Sequence, residues 1–317
     1  MTISTFTWMS AQTGATATEW RKWIQGIHDA LAAIGLVQTA DTGQLTISTA
    51  SVPGINTWTN YEVWRFNDAL QSTHPIFFRI DYGTGNSAGR ADFRLTVGTA
   101  SDGAGTITGN TLLAATVASP TPATASSTEY PSYASGDGSS FSIALWPATG
   151  NLAGHLGGFT IARACNTDGT YRGDALVIAG FGGQSFFHVI GHDGTSGSAK
   201  SAQNVYAPVM LPYAVNGNNA STGSTLSEDG TTAPVYPIPC AAPGVEPFVL
   251  NSMVVVHPGD AGATSVIQVA TINGEARTYR AFPTISSGST GPGVIAVGAS
   301  ANNTISNRCL PAIAWAV

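Results

Sequence analysis

The sequence predicts a mainly β protein built of antiparallel sheets, sandwich-like or barrel-like, with one N-terminal amphipathic α-helix. Three observations predict it. A single segment carries apolar residues at spacings of three and four, and about a dozen short segments alternate with a period of two. Turn residues punctuate the rest, the 317 residues including 37 Gly and 17 Pro.

The helix is the clearest element. Thr16-Ala17-Thr18-Glu19 has the spacing of a capping box, and Trp20, Trp23, Ile24, Ile27, Leu31 and Ile34 follow on one face. Gly35 supplies a stop, so the spacing predicts a helix over 18–34. A face two tryptophans wide must be covered by the chain's own sheet or by a neighbouring subunit. Trp20, Trp23, Ile27 and Leu31 are therefore the candidate interface residues.

After the helix the period changes to two. Leu45-Thr46-Ile47-Ser48 reads as a strand ended by Val52-Pro53-Gly54, and Tyr61-Glu62-Val63-Trp64-Arg65-Phe66 alternates again. Residues 67–71 read as one helical turn. Strand patterns continue at 76–82, 90–97, 106–117, 141–146, 159–165, 175–179, 186–190, 253–256 and 312–317. Asn166-Thr167-Asp168-Gly169 reads as a hairpin connection, and Asn273-Gly274, between two alternating runs, is the sharpest two-residue hairpin signal. The Pro/Ser/Thr-rich stretch 119–139 reads as a long loop or linker. It divides an α+β lobe, 1–118, from a mainly β lobe, 140–317, unless the two are one continuous domain. Residues 216–232, almost all Gly, Asn, Ser and Thr, read as an exposed loop.

Composition excludes several functions. Charged residues make up only 9% of the chain, the net charge is −6, and the lysines are Lys22 and Lys200. Nothing in that balance suits phosphate neutralisation, so no nucleic-acid partner is expected. No apolar run approaches the roughly 20 residues of a membrane helix. The first ten residues lack the basic start of a secretory signal, and a soluble chain is expected. Cys165, Cys240 and Cys309 are odd in number and far apart, which predicts reduced filler thiols rather than a disulfide or metal framework.

Chemical motifs are weak throughout. His188, His192, Asp193, His257 and Asp260 are the best metal candidates, but no ligand spacing accompanies them, so no metal is expected. Glu62, Asp81 and Asp92 are candidate glycosidase carboxylates, yet Arg65, Arg79 and Arg94 interleave with them as structural ion-pair partners would. The nucleophile elbow GxSxG is absent, and Gly83-Thr84-Gly85 and Gly103-Ala104-Gly105 lack the helix and lysine of a phosphate loop and read as turns. Trp58, Tyr130, Tyr133 and Tyr171 are the aromatics outside an obvious apolar phase, the candidates for stacking sugar rings. No catalytic residue and no cofactor is expected.

The helical run 19–34 leads into Tyr61-Glu62-Val63-Trp64-Arg65-Phe66-Asn67-Asp68-Ala69-Leu70. His74-Pro75-Ile76-Phe77-Phe78-Arg79-Ile80-Asp81-Tyr82-Gly83 and Thr96-Val97-Gly98-Thr99-Ala100-Ser101-Asp102-Gly103-Ala104-Gly105 follow. Together these runs resemble segments of tail, baseplate or fibre-attachment proteins, virion structural proteins of tailed bacteriophages. The resemblance implies a non-enzymatic subunit present in multiple copies in a virion assembled in the host cytoplasm. Its partners would be copies of itself, other virion proteins and a host surface glycan. The alternatives are a carbohydrate-binding or carbohydrate-degrading tail protein and a capsid decoration protein.

Overall fold

The fold is known from a computed structural model. It describes residues 2–9, 16–84, 91–117, 129–145, 157–165, 170–179, 186–190, 235–242, 245–256, 267–272, 275–281, 284–285, 292–293 and 310–315. In chain order the elements begin with β1 (Thr2–Met9), α1 (Ala17–Ala33), β2 (Val37–Gln38), β3 (Thr57–Arg65), β4 (Phe77–Thr84), β5 (Ala91–Ser101) and β6 (Ile107–Val117). There follow β7 (Glu129–Gly136), β8 (Ser140–Leu145), β9 (Gly157–Cys165), β10 (Tyr171–Ala179) and β11 (Phe186–Ile190). The last are β12 (Val235–Ala242), β13 (Val245–Val256), β14 (Ile267–Ile272), β15 (Glu275–Ala281), β16 (Thr284–Ile285), β17 (Pro292–Gly293) and β18 (Leu310–Trp315).

Helix α1 starts where its sequence says. The Thr16 backbone N–H donates to Glu19 Oε2 at 2.7 Å, and the Glu19 N–H donates back to Thr16 Oγ1 at 3.3 Å. It ends in a Schellman motif: Gly35, at φ +91°, donates to Ala32 O at 3.0 Å and Leu36 donates to Leu31 O at 3.2 Å.

Strands β2 to β6 form a five-stranded antiparallel sheet in sequential order. An eleven-stranded antiparallel sheet runs β1-β7-β8-β9-β13-β18-β15-β14, with β10 on β9, β11 on β10 and β12 on β13. The sheets face one another across an aromatic seam. The alternation of β4 turns Phe78, Ile80 and Tyr82 inward, and Phe78 meets Phe141 of β8 at 5.1 Å between ring centroids. Phe93 of β5 meets Phe159 of β9 edge-on at 5.7 Å. Helix α1 lies on the same core, with Trp23 edge-on to Tyr82 at 5.4 Å.

Several expectations are corrected. Leu45-Thr46-Ile47-Ser48 is not a strand: 47–49 form a 3-10 turn, closed by Thr49 N–H to Thr46 O at 3.1 Å and Ala50 N–H to Ile47 O at 3.2 Å. The alternation there spaces Leu45 and Ile47 as plugs against the core rather than as ladder residues. The turn expected at 67–71 is a 3-10 turn at 69–72. Within the stretch read as a linker, 129–136 is β7, hydrogen-bonded to β1 on one side and β8 on the other. Residues 119–128 of that stretch lie outside the described residues. One hydrophobic cluster runs from Trp20 to Val177, so the first lobe and the 141–177 part of the second share a core.

Hairpins fall where turn chemistry placed them. β9 and β10 pair antiparallel, and so do β14 and β15, with Ile272 opposite Glu275; the connections 166–169 and 273–274 themselves lie outside the described residues. Cys165 pairs with Val249 on one side of β13, whereas Cys240 pairs with Phe248 on the other. Two strand spacings separate these cysteines, beyond the roughly 7 Å that a disulfide spans between Cα atoms.

Candidate functional site

The candidate carboxylates Glu62, Asp81 and Asp92 sit on the five-stranded sheet with Arg65, Arg79 and Arg94, and the pleat divides them between its two faces. Glu62 pairs in register with Ile80, while Asp81 pairs with Tyr61 and Arg94. Glu62 therefore faces the core and Asp81 the opposite side, which separates two of the three candidate glycosidase carboxylates.

On the outer side, Arg79 Nε donates to Asp81 Oδ1 at 2.8 Å and Nη1 donates to Gly105 O at 2.8 Å. The same guanidinium lies 3.9 Å from the centre of the Tyr61 ring, and Arg94 lies 4.4 Å from that of Trp58. Each ring is also packed against a glycine. A Cβ at Gly105 would come within 2.4 Å of Tyr61, and one at Gly83 within 2.4 Å of Trp58. Gly83-Thr84 is thus the end of β4 rather than a turn, with Gly where Trp58 leaves no room. Asp92, in register with Gly83 on this side, is itself buried.

Gly103-Ala104-Gly105 is a turn, as expected. Asp102 accepts from the Ala104 and Thr106 N–H groups at 2.7 and 2.9 Å, and these bonds hold its carboxyl below the usual range. Asp41 accepts from Gly105 N–H at 3.1 Å and from the Ser101 hydroxyl, while Tyr61 donates to Thr42 O at 2.8 Å. Loop 39–44 is thereby stitched to the β5–β6 connection.

Inside, Glu62 is 1% exposed, yet it accepts from Tyr82 Oη at 2.6 Å and lies 2.6 Å from His28 Nδ1 on α1. Gln38 Nε2 adds a donor at 3.4 Å. The hydrogen bond to Glu62 raises the His28 pKa against the opposing effect of burial. Burial first, then the Glu62 charge, lifts the Tyr82 phenol well above its ordinary value. A second internal pair joins the lobes: Arg163 of β9, fully buried, donates through Nε and Nη2 to the two carboxylate oxygens of Asp68 at 2.6 and 3.0 Å.

Trp20, Trp23, Ile27 and Leu31 do not form an exposed interface. This chain's own core covers all four to 1% exposure or less. The apolar stripe needed a cover, and the aromatic inner face of the sheet provides it. Tyr133 is buried and Tyr171 donates its hydroxyl to Asp137 Oδ2 at 3.1 Å. Tyr130 lies on β7 and His188 on β11, opposite Val177; their side chains fall outside the described residues, as do His192, Asp193, His257, Asp260 and the loop 216–232.

Sequence reasoning missed both internal clusters. One signal was present: Glu62 shares the alternation phase of Trp64 and Phe66, which marks it as inward-facing. Nothing local announces Asp68 and Arg163, 95 residues apart. No family model, curated protein or solved structure matches the chain. No helix among the described residues is long and apolar enough to cross a membrane.

Proposed function

We propose that this chain is a non-enzymatic structural subunit of a tailed-bacteriophage virion, a tail, baseplate or fibre component assembling in multiple copies with itself and other virion proteins. The observation that carries this reading is where the scarce charge goes. The sequence has 12 Lys and Arg and 18 Asp and Glu, and Glu62, Asp81, Asp92 and Arg163 are buried. What remains for the surface is less than the composition suggests, and a surface poor in charge is kept soluble by being covered.

The inner and outer clusters are consistent with a scaffold role. Glu62 holds the helix, Asp81 holds Arg79, and Asp68 holds Arg163. Trp58 and Tyr61 pack between a guanidinium and a glycine, an arrangement that spends their rings on the fold rather than on a sugar. Native mass spectrometry of the purified chain tests the multi-copy reading. A closed symmetric oligomer is expected at micromolar concentration, and a strict monomer that also fails to bind any co-expressed virion protein refutes it.

A further inference from the structure

Helix α1 is fastened to the five-stranded sheet by a carboxylate that has no business in an aromatic core unless it is compensated. Glu62 sits among Trp64, Ile80 and Tyr82, and its hydrogen-bond donors are Tyr82, Gln38 and His28. Of these only His28 can carry a positive charge. Its ring packs edge-on to Trp64 at 5.2 Å and its side chain is 26% exposed, so it straddles the boundary between core and water. We infer that the His28–Glu62–Tyr82 cluster is a pH-responsive latch, which clamps helix α1 to the sheet when His28 is protonated and loosens it when His28 is neutral.

The chemistry is a matter of counter-charge. A protonated imidazole donates from Nδ1 and neutralises Glu62. Once the ring loses its proton, the Nδ1–H hydrogen bond persists but the carboxylate stands uncompensated in a low-dielectric setting. Lifting α1 then hydrates Glu62, so opening becomes easier. The ionisable groups facing His28 are Glu62 from β3 and Asp29 from its own helix; β4 contributes Tyr82, through Glu62, and β2 contributes neutral Gln38. Asp29 reinforces the protonated ring, and its Oδ1 is held by Gln25 Nε2 at 2.7 Å. Both carboxylates act in the same direction, so the titration of His28 sets the state of the latch.

Hydrogen exchange of the full chain tests it, with rates corrected for intrinsic chemistry and α1 amides compared with those of β3 and β4 from about pH 6 to about pH 8.5. In the native chain the opening constant of α1 rises severalfold over this range while that of β3 and β4 changes less. His28→Gln, which keeps a donor but no charge, shows the looser helix at every pH and no such rise. A native α1 whose opening is flat or falls with pH, or a His28→Gln helix with the native pH slope, overturns the latch. Should His28→Gln fail to fold, the native ring decides by NMR: the latch requires a titration midpoint above the ordinary value of 6.5, and a midpoint at or below it overturns the inference.

Discussion

Arg163 gives up water entirely and receives in exchange a two-pronged grip on Asp68, with a third donor hydrogen on Gly173 O at 3.4 Å. Removing Asp68 strands the Arg163 charge in the core, and removing Arg163 leaves a largely buried carboxylate without its counter-charge. Arg163→Ala is expected to cost about 3–5 kcal/mol in urea unfolding, and Arg163→Met with Asp68→Leu much less, because no charge is left uncompensated. Glycine matters where rings lie on the backbone. Gly105→Ala puts a Cβ into Tyr61 at φ +91°, so it should destabilise by more than about 1 kcal/mol, and less in a Tyr61→Ala background. His28 also sets a pH trend. Because its pKa is raised in the folded state, its stabilisation is complete below the unfolded value of 6.5 and is lost as pH climbs through the raised value. The melting temperature of the native chain minus that of His28→Gln should therefore shrink as pH rises through that window. At this scale the sequence was partly readable: the phase of Glu62 was visible, but its partner on α1 was not, since 34 residues separate them.

Among elements, the helix was legible almost to the residue because both its ends are written in local chemistry, Thr16 and Glu19 at the start and Gly35 at the stop. Thr16→Ala should lower stability by roughly 1 kcal/mol in the same unfolding measurement. What the helix faces was not local information. Its apolar stripe satisfies either a sheet or a neighbour, and the buried Trp20 and Trp23 show that the sheet has it. Trp23→Asp is accordingly expected to abolish the near-ultraviolet circular dichroism of the folded core rather than release folded monomers. Strands with dense alternation, such as β4, β5 and β9, were equally readable. β7 and β12 were hidden by their prolines. Pro131 lies outside the part of β7 in register with β8, and Pro237 and Pro239 sit on β12, which among the described residues pairs with β13 alone, so each proline falls where its strand has one neighbour rather than two. Leu45 and Ile47 misled in the opposite sense, since alternation also serves a loop that pins its apolar side chains under itself.

For the whole molecule, a scaffold of two large sheets and a helix that buries Glu62, Asp81, Asp92 and Arg163 leaves recognition to whatever projects from it. Loops carry recognition when a rigid β framework holds them. Shortening 119–128 and 216–232, both outside the described residues, is expected to leave the near-ultraviolet spectrum of the core unchanged while lowering assembly into particles. Particles of normal yield carrying both deletions would remove those loops from the interface. The mainly β architecture was legible from periodicity because a strand's alternation is a property of a few residues. Copy number and location are properties of contacts between chains, which no single sequence spells out. Electron cryomicroscopy of purified particles, with the chain carrying a resolvable tag, addresses them directly. The account predicts tag density at symmetry-related positions, several copies per particle, on the tail, baseplate or fibres. Particles that lack the chain, or that carry it once and without symmetry, would contradict it.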